Sequence, residues 1–167
     1  MTIKVGDQLP EARLAEYIDV ATEACSIGPS KVMVHEATKG KKIAIFAVPG
    51  AFTPTCSETH APGYINAVDQ FKAKGVDEVW CISVNDPFVM GAWGRDQKAV
   101  GKVRFIADGS GTFTKALGLE FDLTKGGLGV RSQRYSMLVE DGVVKQLNVE
   151  DSGHLEISTA EKLLEQI

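Results

Sequence analysis

Residues 43–48, Ile-Ala-Ile-Phe-Ala-Val, carry no charge and run straight into Pro49-Gly50. A short apolar run bounded by turn residues reads as a strand buried on both faces, which demands a sheet with helices packed against each side. Past the turn, Thr53-Pro54 has the form of a helix start. Thr is a favoured N-cap, and Pro at the first helical position gives up an N–H that would find no partner there. Cys56 then falls in the first helical turn, among unpaired backbone N–H groups and at the positive end of the helix dipole, where a thiolate is favoured. An isolated cysteine in apolar surroundings is otherwise a small buried hydrophobe. The strand–turn–helix placement points instead to a reactive thiol.

The alternation continues along the chain. Tyr64, Ile65, Val68 and Phe71 form an apolar stripe on a helix over 56–74, which Gly75 ends. Residues 78–84 read as the next strand, and Asn85-Asp86-Pro87 opens a helix running to about residue 100. A third strand over 103–107, a turn at Asp108-Gly109 and a short helix over 112–117 follow. The glycine-rich loop 125–129 leads into a strand over 134–140, and Asp141-Gly142 divides two alternating runs as a hairpin turn does. Ser158-Thr159-Ala160-Glu161 is a capping box for a last helix. Parallel strands joined by helices, then an antiparallel hairpin and a terminal helix, give an α/β chain of thioredoxin-like fold, a central mixed sheet flanked by helices. With no repeat or linker, residues 1–167 are expected to form one domain.

The net charge of −4 and pI near 5.4 argue against nucleic acid or an anionic membrane as the main partner. The basic cluster Lys39-Gly40-Lys41-Lys42 reads as a solvated loop before the strand. No apolar run approaches the ~20 residues of a membrane span. Gly6 and Asp7 stand where a signal peptide would be apolar, so a cytoplasmic location is expected, with a previously removed leader left open. The three cysteines, Cys25, Cys56 and Cys81, include no C-x-x-C pair, against a dithiol centre or structural zinc. The histidines His35, His60 and His154 are scattered, and no metal or cofactor is expected.

Pro49, Thr53 and Cys56 together form the motif P-x-x-x-T-x-x-C. With the segments Cys81-Ile-Ser-Val-Asn-Asp-Pro-Phe-Val, Phe105-Ile-Ala-Asp-Gly-Ser and Arg134-Tyr-Ser-Met-Leu-Val, in that order, the chain resembles the peroxiredoxins, and within them the peroxiredoxin-5 or type II class. The resemblance implies a thiol peroxidase acting on hydrogen peroxide and alkyl hydroperoxides, without metal or organic cofactor. It implies that Cys56 is the peroxidatic cysteine, oxidised to a sulfenic acid. Arg134 would hold the thiolate and polarise the peroxide, Thr53 would hydrogen-bond both, and Pro49 would shield the site. A fixed guanidinium suits that role physically. Arg131, three residues earlier, should lie on the opposite face of the strand or in the preceding loop. Ala51, Phe52 and Phe88 suggest an apolar mouth, and the resemblance implies a homodimer, with Phe88 and Trp93 as either interface or core aromatics.

His60 stands four residues after Cys56 on the same helical face, but a Cys–His catalytic pair also needs a third group to orient the histidine, so packing or hydrogen bonding is expected. A phosphatase-type C-x5-R loop would need arginine where Pro62 stands. For recycling, the 153–158 stretch matching the resolving segment of one branch of the class contains no cysteine. Cys81, assigned that task in another branch, sits mid-strand, and a disulfide needs Cα atoms within about 7 Å. A buried core thiol is the competing reading for Cys81, and Cys25 lies outside the matched blocks. The expectation is a one-cysteine cycle recycled by an external thiol, glutathione with or without glutaredoxin. The alternatives are a Cys56–Cys81 disulfide reduced by thioredoxin, or a non-turnover redox sensor. A thiol–disulfide oxidoreductase is disfavoured by the missing C-x-x-C.

Overall fold

A computed structural model describes residues 1–24 and 26–167, so the reading of Cys25 lies outside the described residues. The chain forms β1 (Arg13–Ile18), β2 (Gly28–Met33), α1 (Val34–Thr38) and β3 (Lys42–Ala47), then, after the cysteine turn, α2 (Ala61–Asn66) and α3 (Val68–Ala73). Next come β4 (Glu78–Ser83), α4 (Pro87–Asp96), β5 (Arg104–Ala107), α5 (Thr112–Leu117), β6 (Glu120–Leu123) and β7 (Gly129–Ser132). The chain closes with β8 (Tyr135–Glu140), β9 (Val143–Val149) and α6 (Ala160–Gln166). Seven strands form one sheet in the order β2-β1-β5-β4-β3-β8-β9, while β6 and β7 pair separately. β3, β4 and β5 are parallel and the other pairings antiparallel, the mixed sheet expected.

β3 sits inside this sheet because both of its faces are apolar. Ala44, Phe46 and Val48 enter one core with Tyr64, Phe71, Trp93 and Leu163, on the side of α2, α3, α4 and α6. Ile43, Ile45 and Ala47 enter the other with Val34, Phe113 and Leu117, on the side of α1 and α5. Trp93 is therefore core, whereas Phe88 is 63 % exposed.

Several local expectations are corrected. The helix over 56–74 is not continuous. Residues Cys56–His60 form a π turn, and the chain breaks at Ala67 (φ −98°, ψ 2°) before α3. Gly75, at φ 85°, still closes the segment, in a conformation that glycine takes without strain. The loop 125–129 does not lead directly into β8. It closes the β6–β7 hairpin, and Gln133 then bonds back to the Leu119 carbonyl before β8 begins. Arg131 is accordingly on β7, outside the strand that follows Arg134. The cap of α6 is Thr159, whose hydroxyl accepts from the Lys162 N–H, because Ser158 is already committed to Glu150.

Parallel strands end at one edge of the sheet, and open α/β sheets place their sites beyond that edge. β3 delivers the turn to Cys56 there. The register Ala47 opposite Tyr135 sets Arg134, the residue before β8, at the same edge.

Candidate active site

The turn after β3 is fixed from below. Asn85 Oδ1 accepts from the Ala51 N–H at 3.0 Å and from the Ser83 hydroxyl at 2.6 Å, tying the turn to the end of β4. Phe52 sits at φ 62°, a left-handed conformation that costs a bulky residue roughly 1–2 kcal/mol. Strain of this kind persists where neighbours over-determine the backbone, as the Asn85 bridge does here. Helical structure begins at Pro54, and the Ser57 N–H bonds to the Thr53 carbonyl. The Thr53 hydroxyl turns back and donates to the Gly50 carbonyl at 2.7 Å. In the π turn the Ala61 N–H reaches the Cys56 carbonyl, five residues back. Such insertions recur at functional sites.

Arg134 is held on three sides. Nη2 donates to Cys56 Sγ at 3.3 Å, Nη1 meets His60 Nδ1 at 2.8 Å, and Nε donates to the Gly153 carbonyl at 3.2 Å. Cys56 has no exposed surface, and Arg134 is 3 % exposed. A guanidinium only donates, so His60 Nδ1 is the acceptor and the imidazole proton lies on Nε2. That nitrogen donates to the Ser158 carbonyl at 2.9 Å, which also accepts from the Tyr64 hydroxyl at 2.8 Å. Burial, reinforced by the Arg134 charge, lowers the His60 pKa to about 3 against the weaker pull of Ser158 and Glu150. His60 is therefore neutral at physiological pH, with its lone pair engaged by Arg134. It positions the arginine and cannot take the Cys56 proton. Accordingly, the pH–rate profiles of Cys56 oxidation in the wild type and in His60→Gln should show no step between pH 5 and 8 that belongs to His60. A step present in the wild type and missing from His60→Gln would restore it as a base.

The sequence-selected residues Pro49, Thr53, Cys56 and Arg134 converge at this edge, and Cys81 lies beneath them in the same apolar core as Cys56. Burial pushes the Cys81 thiol well up, and negative charge at Cys56 acts in the same direction. Ser57, next to Cys56, is clasped by Trp93 Nε1 at 3.0 Å and, through its carbonyl, by Gln97 Nε2 at 3.2 Å. Sequence reasoning missed the Asn85 bridge and the segment 150–158, where one Glu150 oxygen accepts from the N–H groups of Glu156, Ile157 and Ser158 and from the Ser158 hydroxyl. It also missed that Arg131 Nη1 reaches the Pro49 carbonyl at 3.4 Å. The one available signal was the four-residue spacing of Cys56 and His60, which placed both on the face that meets Arg134.

The profile of the redoxin family matches residues 4–164. Peroxiredoxin-2C of Oryza sativa subsp. japonica is 47% identical over 165 residues, covering 99% of this chain and 98% of that protein. Among solved structures, reduced Prx3 from Vibrio vulnificus in complex with hydrogen peroxide is 50% identical, with a TM-score of 0.90, covering 99% of each chain. A Burkholderia cenocepacia protein described as a candidate thioredoxin reductase is 53% identical with a TM-score of 0.99, covering 100% of this chain and 99% of that one.

Proposed function

The chain belongs to the redoxin family as a peroxiredoxin, an enzyme that reduces peroxides with thiols, and on that footing we propose a one-cysteine cycle centred on Cys56. The substrates are hydrogen peroxide and alkyl hydroperoxides, and the reductant is glutathione with or without glutaredoxin, in a cytoplasmic homodimer. The carrying observation is the contact between Arg134 Nη2 and Cys56 Sγ, made by a guanidinium that is also bonded to His60 Nδ1 and the Gly153 carbonyl.

In this reading the Cys56 thiolate attacks the terminal peroxide oxygen. The S–O bond forms as the O–O bond breaks, and the departing alkoxide or hydroxide takes a proton to leave as alcohol or water. Arg134 and the Cys56 N–H donate to the oxygens as negative charge shifts onto the leaving one. Because the Thr53 proton is engaged by the Gly50 carbonyl, the Thr53 oxygen is left to accept from the peroxide O–H. The Vibrio relative solved with hydrogen peroxide supports the substrate class. An external thiol then displaces water from the sulfenic acid to give a mixed disulfide on Cys56, and a second thiol releases the reduced enzyme. Cys81 is buried and held as a thiol, which supports assigning it no part in this exchange.

Intact mass after one equivalent of hydrogen peroxide and then glutathione tests the cycle. A glutathione adduct on Cys56 is expected in the wild type and in Cys81→Ser alike, with glutathione-supported turnover of that variant within about twofold of wild type. Loss of two hydrogens in the wild type, with no adduct, would assign resolution to an internal disulfide. Slow recycling by every common thiol would point to a sensor.

A further inference from the structure

Arg131 enters no step above, yet β7 carries it to the turn over the active site. Its Nε donates to the Leu128 carbonyl at 2.8 Å and its Nη1 to the Pro49 carbonyl, so two fixed acceptors orient the guanidinium. Neither acceptor is charged. Among the described residues the carboxylates pair with Lys4, His35, Lys41, Arg95 and Arg104, and none with Arg131. Three of its five N–H donors therefore remain for a ligand.

Gly50 supplies a second observation. Its φ lies outside the left-handed region, so the backbone does not call for glycine there. A Cβ at this position would meet Arg131 Nη1 and Thr53 Cγ2, each at 3.1 Å. A side chain here would press on both by a few tenths of an ångström, so glycine leaves a half-buried arginine room to lie close against the turn beside Thr53. The neighbours Phe52, Leu128 and Val130 are exposed apolar side chains. A preorganised cation with apolar flanks, on the turn that leads to Cys56, fits a small molecule that carries a carboxylate a few bonds from its reacting atom.

We propose that Arg131 is a carboxylate-binding residue at the mouth of the site, holding an anionic co-substrate while its sulfur or peroxide oxygen meets Cys56. The proposal rests on the reading of Cys56 as the reacting thiol. Its carboxylate belongs either to the thiol reductant or to an acidic hydroperoxide.

The first test needs no turnover. Cys56 displaces iodide from iodoacetate and from iodoacetamide, reagents that differ in one carboxylate, and digestion and mass analysis follow Cys56 alone. The iodoacetate-to-iodoacetamide rate ratio should fall about tenfold in Arg131→Gln, recover in part in Arg131→Lys, and shrink with added salt only when the charge is present. An unchanged ratio, or an equal loss with both reagents, makes Arg131 a brace for the turn and overturns the proposal, whether or not the protein is a glutathione peroxidase. The source then follows from paired turnover assays. A selective loss with 3-mercaptopropionate against 2-mercaptoethanol identifies the reductant. A selective loss with a fatty-acid hydroperoxide against cumene hydroperoxide identifies the substrate, and no selective loss in either pair counts against a co-substrate role.

Discussion

Replacing Arg134 with glutamine should slow oxidation of Cys56 by hydrogen peroxide about 10²–10³-fold, the usual cost of removing a preorganised donor from a developing negative charge. Cys56→Ser, with no nucleophile left, should give no turnover. Glutamine keeps much of the arginine's length but loses the charge and the three-way geometry toward Cys56 Sγ, His60 Nδ1 and the Gly153 carbonyl. Lysine keeps the charge, yet its compact ammonium cannot serve three directions from one plane, so Arg134→Lys should remain severely impaired. Stopped-flow tryptophan fluorescence is a suitable readout, because Trp93 bonds to Ser57, the residue after Cys56. Thermal unfolding of each variant separates lost chemistry from lost structure. A folded Arg134→Gln protein oxidised within about threefold of wild type would remove Arg134 from the mechanism.

The second large effect is on stability. One oxygen of Glu150, a residue 5 % exposed, gathers three backbone N–H groups and a hydroxyl and so holds the 150–158 segment closed. Glu150→Ala leaves those donors without an acceptor and should cost about 3 kcal/mol, read as a lower urea midpoint at pH 7. Burial alone would raise the Glu150 pKa, but the Ser158 hydroxyl and the N–H groups of Glu156, Ser158 and Ile157 outweigh it, and the net direction is down. Its stabilisation is therefore complete above the unfolded carboxylate value and is lost as pH falls through the lower folded one. His60 adds a limb at higher pH. It stays neutral in the fold down to about 3 while the unfolded chain protonates near 6.5. Stability should thus decline below about pH 6.5 by up to roughly 1.4 kcal/mol per pH unit from this one proton. His60→Gln should flatten that limb and Glu150→Gln the more acidic one. If neither variant changes the acid limb, other groups govern it.

What the sequence made legible was local. The uncharged run of β3, the Thr53-Pro54 start and the Asp86 cap, whose carboxylate accepts from the Val89 N–H at 2.9 Å, each follow from neighbouring residues. What it hid depends on distant partners. Ser158 looks like a cap until Glu150 takes its hydroxyl, and the stripe from Tyr64 to Phe71 suits a continuous helix as well as a broken one. Arg131 cannot be placed on the turn without knowing that β7 pairs with β6. His60 is the instructive case. Its spacing from Cys56 was visible, but its neutrality and its tautomer follow from Arg134 and Ser158, 74 and 98 residues away in the chain.

The pairing of β8 with β3 has a consequence for how the enzyme comes into being. Cys56 and its guanidinium partner are separated by 78 residues, and they meet only because Tyr135 settles opposite Ala47. A growing polypeptide therefore releases its cysteine from the ribosome long before the arginine that equips it, and the clamp on that arginine, Gly153, emerges later still. Under the proposed cycle, the thiol therefore lacks, through most of synthesis, the partner that would arm it against peroxide. The contact between Arg134 and Cys56 arrives with the last strands, so in that reading a reactive sulfur and the completed fold would appear together.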